Sequence, residues 1–397
     1  MKMKKNNLLI LAVAALGFAA CSSDETTAVN EKLAESNEIS FRTLVGGQMR
    51  STAGPMAGGT NFQTGDKINV YAGFTPSGGS EAKYFQDTFT KEAGDAGFKS
   101  VAKHYWPAFA SGDKMTFVAI YSDDDLGNKI STSTVGMIDD YSPATAAASQ
   151  IDVMVAKKEV TAKEDKVLLN FRHALSQIVV NVKNTNAALD FAITGVRIGY
   201  VSTMGDFTYS GDVTNTQEAS GHTSAAQTLV AANNWTPAAV TDANTNKYDQ
   251  ASTGTITSTQ DATALTSFNS WLLIPQTKTA ATAYAAATKG TAASNPTLNG
   301  SYIALKLAIY NYNGSARSSQ LVSEQWCYWP CNFTWNPGYK YTYTVDLAGG
   351  GYQPINTESA STDLDPVLGD VIVFSPECTV DYWVTPAGID VPAAPAP

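Results

Sequence analysis

Short runs of alternating apolar residues, each bounded by turn residues, recur through this 397-residue chain and constrain its fold more than any other feature. In the run from 176 to 183, Ile178, Val180 and Val182 share one face, because successive side chains of a strand point to opposite sides. Comparable runs lie at residues 68–72, 117–121, 151–156, 191–201, 270–275, 302–312, 339–347 and 370–384. Helical periodicity of useful length is absent, so the sequence predicts an all-β fold.

The length of the chain and the number of strands predict two domains. About 375 residues follow the N-terminal leader described below, which is enough for two domains with a core each. Many short strands with turn signals and almost no helix are typical of β-sandwiches. We place the division in the charged linker 157–165, which gives an N-terminal domain over 51–163 and a C-terminal domain over 164–397. Between 210 and 266 large apolar residues are few, and we predict mostly long loops with one hairpin.

The N-terminus has the pattern of a lipoprotein leader. Three lysines among the first five residues precede an uncharged run at 8–20, which is shorter than the about 20 apolar residues that span a bilayer. Ala19 and Ala20 lead directly to Cys21, as in a bacterial lipobox. We therefore predict that residues 1–20 are a signal peptide and that Cys21 is acylated, which would tether the mature chain firmly to a membrane. The alternative is a secreted protein with an accidental cysteine at the cleavage point.

A polar tether and one separate strand follow the leader. Residues 22–37 are polar and without periodicity, and the four residues after Cys21, "SSDE", resemble a signal that sends lipoproteins to the outer surface. A short strand comes next, with one face formed by Ile39, Phe41, Thr43 and Val45. The Gly-rich stretch 46–59 then separates this strand from the rest of the chain, and a protease could enter there.

The charge of the chain excludes one class of partner. The formal net charge is −10, and the 26 Lys and Arg residues are scattered along the sequence. Because phosphate binding needs a basic face, we predict no nucleic-acid partner. Only 16% of the residues are charged, and Tyr numbers 18, which is typical of an exported, surface-exposed β protein.

Three cysteines remain after Cys21, namely Cys327, Cys331 and Cys378. Four residues separate Cys327 from Cys331, which is about 13 Å along one continuous strand. A disulfide needs Cα atoms within about 7 Å, so this pair could form only if Pro330 turned the chain back. We expect buried free thiols, with the disulfide as the alternative, and the spacing matches no zinc site.

The sequence offers little for catalysis or metal binding. The chain contains three histidines, His104, His173 and His222, and none belongs to a metal motif or accompanies a nucleophile elbow. We therefore predict a protein that is not an enzyme and has no cofactor and no metal. His173, flanked by apolar residues, is interpreted as a hydrogen-bonded structural histidine. The carboxylates of Asp123–Asp125 could hold calcium, but they lack the Gly and Glu of an EF-hand loop, and a solvated loop is the competing interpretation.

Aromatic residues cluster near the C-terminal end. Trp326, Trp329 and Trp335 could form a stacking platform for sugars. The Pro337-Gly338 pair, however, predicts a turn between strands, after which tyrosines alternate on one sheet face. Packing in the core and across strands is therefore the favoured role of these rings.

Several motifs together resemble the fimbrillin family, in its Mfa-like branch. They are the lipobox at Cys21, "F-x-x-G-D-x-I-x-V-Y-A" at 62–72, "HYWP" at 104–107, "FRHALSQI" at 171–178 and "GYKYTYTVDL" at 338–347. The family comprises lipoprotein precursors of type V pilus subunits. The resemblance implies two transthyretin-like Greek-key β-sandwich domains in tandem. It also implies export as an outer-membrane lipoprotein on the cell surface and proteolytic removal of the N-terminal segment.

The resemblance directs attention to both ends of the chain. Cleavage after Arg50 would make Ser51 the new N-terminus, with Arg42 as an alternative site, and would remove the tether 21–50 together with its strand. An extended segment of another subunit would fill the groove left behind. The candidate donor is 377–391, in which one face consists of Cys378, Val380, Tyr382 and Val384.

The expected partners follow from this scheme. They are other pilus subunits, the outer membrane through the lipid before processing, the processing protease, and a ligand on a host or bacterial surface. After processing the protein would lie in the fimbrium. The alternative function is a surface lipoprotein that keeps its lipid and acts as a pilus anchor, an adhesin or a glycan-binding module.

Overall fold

A computed structural model describes residues 37–45, 62, 64–93, 97–122, 137–208, 234–240, 246–282, 298–353, 365–368 and 376–382. The regular elements named in these ranges are 23 strands and two 3₁₀ turns, so the predicted all-β class is confirmed. None of the described residues belongs to a helix with the length and apolarity needed to cross a membrane.

The strands, in chain order, are β1 (Phe41–Val45), β2 (Lys67–Thr75), β3 (Ala82–Lys91), β4 (Phe98–Lys99), β5 (Lys114–Ser122), β6 (Met137–Tyr141), β7 (Val153–Val160), β8 (Val167–His173), β9 (Ser176–Asn184), β10 (Leu189–Gly199), β11 (Gly205–Thr208), β12 (Trp235–Pro237), β13 (Lys247–Ile256), β14 (Thr259–Ala264), β15 (Trp271–Leu273), β16 (Thr277–Lys278), β17 (Tyr302–Tyr312), β18 (Arg317–Pro330), β19 (Phe333–Thr334), β20 (Tyr339–Asp346), β21 (Tyr352–Gln353), β22 (Asp365–Pro366) and β23 (Glu377–Tyr382). The 3₁₀ turns are Ala147–Ser149 and Leu347–Gly349.

Seven strands of the N-terminal half close into a barrel in the order β1-β4-β3-β2-β5-β7-β8. Strand β1 completes the ring, pairing with β4 on one side and with β8 on the other. The β1–β8 pair is parallel, whereas the other barrel pairs are antiparallel. Alternate side chains point inward and form one buried cluster, rich in phenylalanine, that includes Phe41, Phe89, Phe98, Phe117 and Phe171.

The C-terminal half contains two larger sheets that share one core. One has six strands in the order β13-β10-β17-β18-β21-β22; the other has the path β14-β9-β20-β23, with β15 also paired to β9. Val180 and Tyr343 from the second sheet pack in the same buried cluster as Phe191, Leu305 and Trp329 from the first. The arrangement is that of two layers around one core. The tandem Greek-key order of both domains stays a prediction.

A small three-stranded sheet joins the two halves. Strand β6 comes from the connection between β5 and β7 of the barrel, and it pairs with β11, which pairs in turn with β12. Both faces of β5 are apolar. On its outer face, Val118 and Ile120 are buried. These side chains belong to a separate buried cluster with Phe207 and Trp235 of the small sheet. The barrel and the C-terminal sheets therefore share apolar contacts through this cluster.

The strand pairing bears on the domain division predicted at 163/164. Strand β8 lies after that division, yet it pairs with β7 and β1 of the barrel. The next strand, β9, belongs to the C-terminal sheet. The division into domains remains a proposal, and the sheet connectivity moves our preferred boundary to residues 174–175.

The stretch from 210 to 266, predicted as mostly loops, contains three strands in its described part, the short β12 and the longer β13 and β14. Strand β13 is ten residues long and pairs with β10 at the edge of the six-stranded sheet, and β14 pairs with β9. On β13, Tyr248, Ser252 and Ile256 are buried and the residues between them are largely exposed. An edge strand with so few apolar side chains gives a weak sequence signal, which explains the difference.

Candidate functional site

The candidate site is the place of β1 in the barrel, between β4 and β8. We call this place the seam. Five residue pairs join β1 to β8, from Phe41 opposite Val167 to Val45 opposite Phe171. Just before β1, the Val167 N–H donates to the Ser40 carbonyl over 2.9 Å. Because β1 is the only connection between β4 and β8 in the described barrel, these two strands would become edges without it.

The residues before β1 are bound as well, which lengthens the segment beyond the strand predicted from 39 to 45. The Ile39 N–H donates to the His104 carbonyl over 2.7 Å, and the Trp106 N–H donates to the Asn37 carbonyl over 3.1 Å. Glu38 and Tyr105 form an antiparallel bridge between these two bonds. The described residues 37–45 thus form one continuous bound segment, which we call the seam segment.

Two apolar side chains anchor the seam segment in the barrel core. Ile39 is 1% exposed and Phe41 is fully buried. The Phe41 ring makes edge-to-face contacts with Phe89 at 4.8 Å and with Phe117 at 5.2 Å between ring centroids. Such contacts add to the stabilisation from burial. The predicted inward face is therefore confirmed at Ile39 and Phe41, and the site is a filled apolar groove.

A glycine lets the opposite wall approach the seam segment closely. Gly97 has φ +83°, a left-handed conformation that favours glycine. A Cβ at this position would lie 2.4 Å from the Phe41 carbonyl oxygen. A side chain at residue 97 would therefore push the wall away from the seam.

A polar cluster holds the turn that binds the seam segment. The Asp87 carboxylate accepts hydrogen bonds from the Ser100 hydroxyl and the Thr88 N–H, and its Oδ2 lies 2.8 Å from His104 Nε2. The His104 ring also stacks on Phe85 with 4.0 Å between centroids. Burial alone would raise the pKa of Asp87, but these hydrogen bonds outweigh it and lower the pKa below its ordinary value. Asp87 thus stabilises the turn as a carboxylate.

The two charged residues of the seam segment differ in exposure. Arg42 is exposed and is the second of the five residues in the ladder, opposite Leu168. Glu38 has an ion pair with Lys103 at 3.9 Å, in which the Glu38 side chain is 8% exposed and the Lys103 side chain is 57% exposed. The long distance and the exposed lysine make this a weak contribution to stability. The seam segment is held by its backbone and by its inward apolar side chains.

The C-terminal donor candidate occupies a sheet edge in its own chain. Strand β23 pairs along six residues with β20, from Glu377 opposite Thr344 to Tyr382 opposite Tyr339. Cys378 and Val380 pack against the C-terminal core but are only partly buried. Among the described strands, β20 is the single neighbour of β23. The donor candidate is therefore held less extensively than the seam segment.

The structure has Cys327, Cys331 and Cys378 as free thiols. Strand β18 runs without a turn to Pro330, so it does not bring Cys327 back to Cys331. Burial raises the pKa of Cys327 and of Cys331 to about 12, and that of Cys378 to about 11. At neutral pH the three thiols are protonated and weakly nucleophilic.

The other residues singled out from the sequence have structural surroundings. His173 is buried, and its Nδ1 lies 2.6 Å from Asp152 Oδ2, which confirms the interpretation as a hydrogen-bonded histidine. Trp329 and Trp335 are 1% exposed in the C-terminal core, so they cannot stack on a ligand. Trp326 is partly buried, with the Arg197 guanidinium carbon 4.0 Å from its ring centroid. Core packing is the role that the structure gives to most of this cluster.

Several predicted residues lie outside the described residues. They are Cys21, Arg50, Ser51, Val384, His222 and the carboxylates Asp123–Asp125. Within the described ranges, no group of three or more His, Cys, Asp or Glu side chains is arranged to hold a metal ion.

The walls of the groove could not be read from the sequence. Asp87 and Ser100 belong to no motif, and the "HYWP" stretch does not indicate that His104 and Tyr105 bind another segment. Their role depends on pairing between residues 37–39 and 104–106, which are about 65 positions apart. The one available signal in the sequence is the run of aromatic residues in "HYWP".

Comparison with known proteins gives a consistent result. The sequence profile of the fimbrillin-like family matches residues 55–362. A fimbrial protein from Bacteroides vulgatus is 14% identical, with a TM-score of 0.50 over 87% of this chain and 99% of that chain. A candidate cell adhesion protein from Parabacteroides distasonis is 12% identical, with a TM-score of 0.46 over 88% of this chain and 97% of that one. The first likeness supports the fold alone. No curated protein matches the chain.

Proposed function

Because this chain belongs to the fimbrillin-like family, we propose that it is a non-catalytic structural subunit of a type V pilus, at a stalk or tip position. It is exported as an outer-membrane lipoprotein acylated at Cys21. Proteolysis after Arg50 then removes residues 21–50, and the subunit polymerises by donor-strand exchange. Its location is the cell surface, first at the lipid anchor and afterwards in the fimbrium.

The observation that carries this proposal is that β1 closes the barrel. The strand lies in the segment that processing would remove, and it is joined to β8 by five residue pairs. Its loss would leave β4 and β8 with unpaired backbone groups along an open groove. Exposed strand edges of this kind pair readily with another chain.

The apolar side chains of the seam segment supply the driving force. Burial of a side chain such as Ile39 or Phe41 contributes about 1.5–3 kcal/mol. An empty groove therefore forfeits roughly 3–6 kcal/mol at these two positions alone. A strand from another subunit recovers this free energy if it supplies apolar side chains at alternate positions.

The strand pairing favours Arg50 over Arg42 as the processing site. Arg42 is exposed, but its backbone lies within the β1–β8 ladder, where a protease cannot bind it as an extended substrate. Cleavage there would also leave Thr43 and its neighbours in the seam. Arg50 lies five residues beyond the end of β1, in the Gly-rich stretch, and cleavage there frees the whole strand.

The C-terminal segment 377–391 is the donor in this proposal. Its first six residues form β23, which has β20 as its single neighbour among the described strands and in which Cys378 and Val380 are partly buried. A partly buried apolar side chain loses less free energy on leaving its edge than a fully buried one gains in the groove, and this difference favours the exchange. Because the donor of each subunit enters the groove of another, the contact is head-to-tail and does not close. Such contacts generate filaments.

Deletion of residues 377–397 tests this function. The truncated precursor should be exported and processed as the full chain is, but cells should carry no filaments of it. As a matched control, a variant lacking only residues 392–397 keeps the complete donor and should form filaments. Filaments of normal length from the first variant would refute the donor assignment.

A further inference from the structure

Five large apolar side chains are strongly exposed among the described residues, and three of them lie on the barrel. Tyr84 on β3 is 42% exposed, Tyr105 is 39% exposed and Val101 is fully exposed. The other two, Met204 and Leu321, lie on the C-terminal half. The barrel therefore has a local concentration of exposed apolar side chains, which is a common mark of an interaction surface.

Two of these side chains, those of Tyr84 and Tyr105, belong to a continuous aromatic surface. Phe74 lies 6.4 Å from Tyr84 and 6.1 Å from Phe109 between ring centroids. The Tyr84 hydroxyl donates to the Tyr105 carbonyl over 2.8 Å, which joins the fourth residue to the group. We call Phe74, Tyr84, Tyr105 and Phe109 the aromatic end patch. Each of the four is exposed or only partly buried.

The loops that present the patch are held rigidly. The buried Asp113 carboxylate accepts from the Ser77 N–H at 2.9 Å and from the Ala110 N–H at 2.8 Å. This single side chain therefore ties the β2–β3 turn to the connection that leads into β5. A rigid surface loses little conformational entropy when it binds, and exposed tyrosines are frequent binding hot spots.

The patch is continuous with one end of the groove. Tyr105 forms the bridge to Glu38, and the Trp106 N–H donates to the Asn37 carbonyl. Asn37 is at the beginning of the seam segment, before β1. The patch therefore marks the end of the groove at which the seam segment enters, and the opposite end is marked by Val45.

From this geometry we infer that the donor strand of the next subunit runs in the same direction as β1 and that the body of that subunit packs on the aromatic end patch. The inference rests on the proposed donor-strand exchange. A donor at the C-terminal end of its chain is connected to its own body by its N-terminal end. In the direction of β1, which keeps the parallel pairing with β8, that end lies beside Tyr105. In the reverse direction it would lie beside Val45, far along the strand from the patch.

The test compares assembly by whole subunits with binding of a donor peptide. The double variant Phe74→Ser/Tyr84→Ser is made in the full-length precursor, because these two patch residues do not pair with the seam segment. Met204→Ser/Leu321→Ser serves as the control for loss of exposed apolar area elsewhere. After proteolytic processing, we expect the patch variant to polymerise at least about tenfold more slowly than the wild type. A synthetic peptide of residues 377–391 should bind both processed proteins with affinities within about twofold, because it fills the groove but lacks the subunit body that packs on Phe74 and Tyr84.

Each outcome is decisive. Polymerisation of the patch variant at the wild-type rate overturns the inference, and so does an equal loss in the control variant. If the patch variant unfolds at lower denaturant than the wild type, Tyr84→Lys replaces it. The lysine opposes apolar docking at this exposed position and should give the same delay. If the processed wild type itself neither polymerises nor binds the peptide, the proposed function fails and the inference falls with it.

Discussion

Replacing Phe41 by alanine in the unprocessed precursor should loosen the seam segment without damaging the rest of the protein. Phe41 is fully buried and contacts two aromatic rings of the barrel core. The Phe41 ring points into the groove, and the backbone of β1 pairs with a strand on each side. Removing the ring therefore removes the most deeply buried side-chain contact of the seam segment.

The size of the effect follows from the burial. A buried Phe→Ala substitution typically costs about 3–5 kcal/mol. If the seam segment opens as a local unit, the free energy of that opening falls by this amount. Since about 1.4 kcal/mol corresponds to a factor of ten, hydrogen-exchange protection should fall by roughly two to three and a half decades.

Amide exchange measures this directly. The reporters are the Ile39 and Trp106 amides, which bond across the upstream part of the seam, and the Val167 amide, which donates to Ser40. Amides of β9 in the C-terminal sheet serve as the internal reference. The matched control is Arg42→Ala, an exposed position on the same strand, which should change protection by less than about threefold.

Two results would refute the reasoning. Unchanged protection of Ile39 and Val167 in the Phe41→Ala variant would mean that β1 is not anchored by its buried ring. An equal loss throughout β9 would mean that the seam is not a separate unit and opens only with global unfolding.

Two further predictions concern the groove wall and the thiols. Asp87→Asn should destabilise the precursor at pH 7 by about 1 kcal/mol, because the hydrogen bonds lower the pKa of Asp87 in the folded state. In denaturant unfolding, the difference in stability between wild type and variant should shrink as the pH falls below about 4, where the unfolded carboxyl is protonated. A constant difference down to about pH 2 would contradict this role. Because burial raises the pKa of Cys378 to about 11, its alkylation at pH 8, followed by mass spectrometry, should be about 100-fold slower than that of an unfolded cysteine. The rate should rise about tenfold per pH unit. Rapid alkylation of Cys327 or Cys331, each with a pKa of about 12, would contradict their burial.

The strands with clean alternation could be predicted from the sequence. On β9 every second side chain is buried, and β20 shows the same pattern, so the residue types record which face meets the core. Strand β1 was predicted for the same reason, from Ile39 and Phe41. In contrast, β13 and the first half of β18 carry mostly polar, exposed side chains, and nothing in their composition distinguishes them from loops.

The partners of β1 were beyond sequence reasoning. Pairing with β8 joins residues about 125 positions apart, and no local pattern specifies which distant strand lies beside which. The sequence does not predict the Asp87 cluster for a similar reason. Asp87 lies on β3, Ser100 and His104 lie in the turn after β4, and these two parts meet only in the fold. The sequence predicts a separate first strand, and the structure adds that this strand, β1, closes the barrel between β4 and β8.

The most direct measurement is the N-terminus of the protein in filaments sheared from cells, read by sequencing and intact mass. Removal of the seam segment predicts a chain that begins at Ser51 and carries no lipid. A chain that still begins at an acylated Cys21 would contradict the account, because the closing strand would then remain in its barrel and no groove would be open to another subunit.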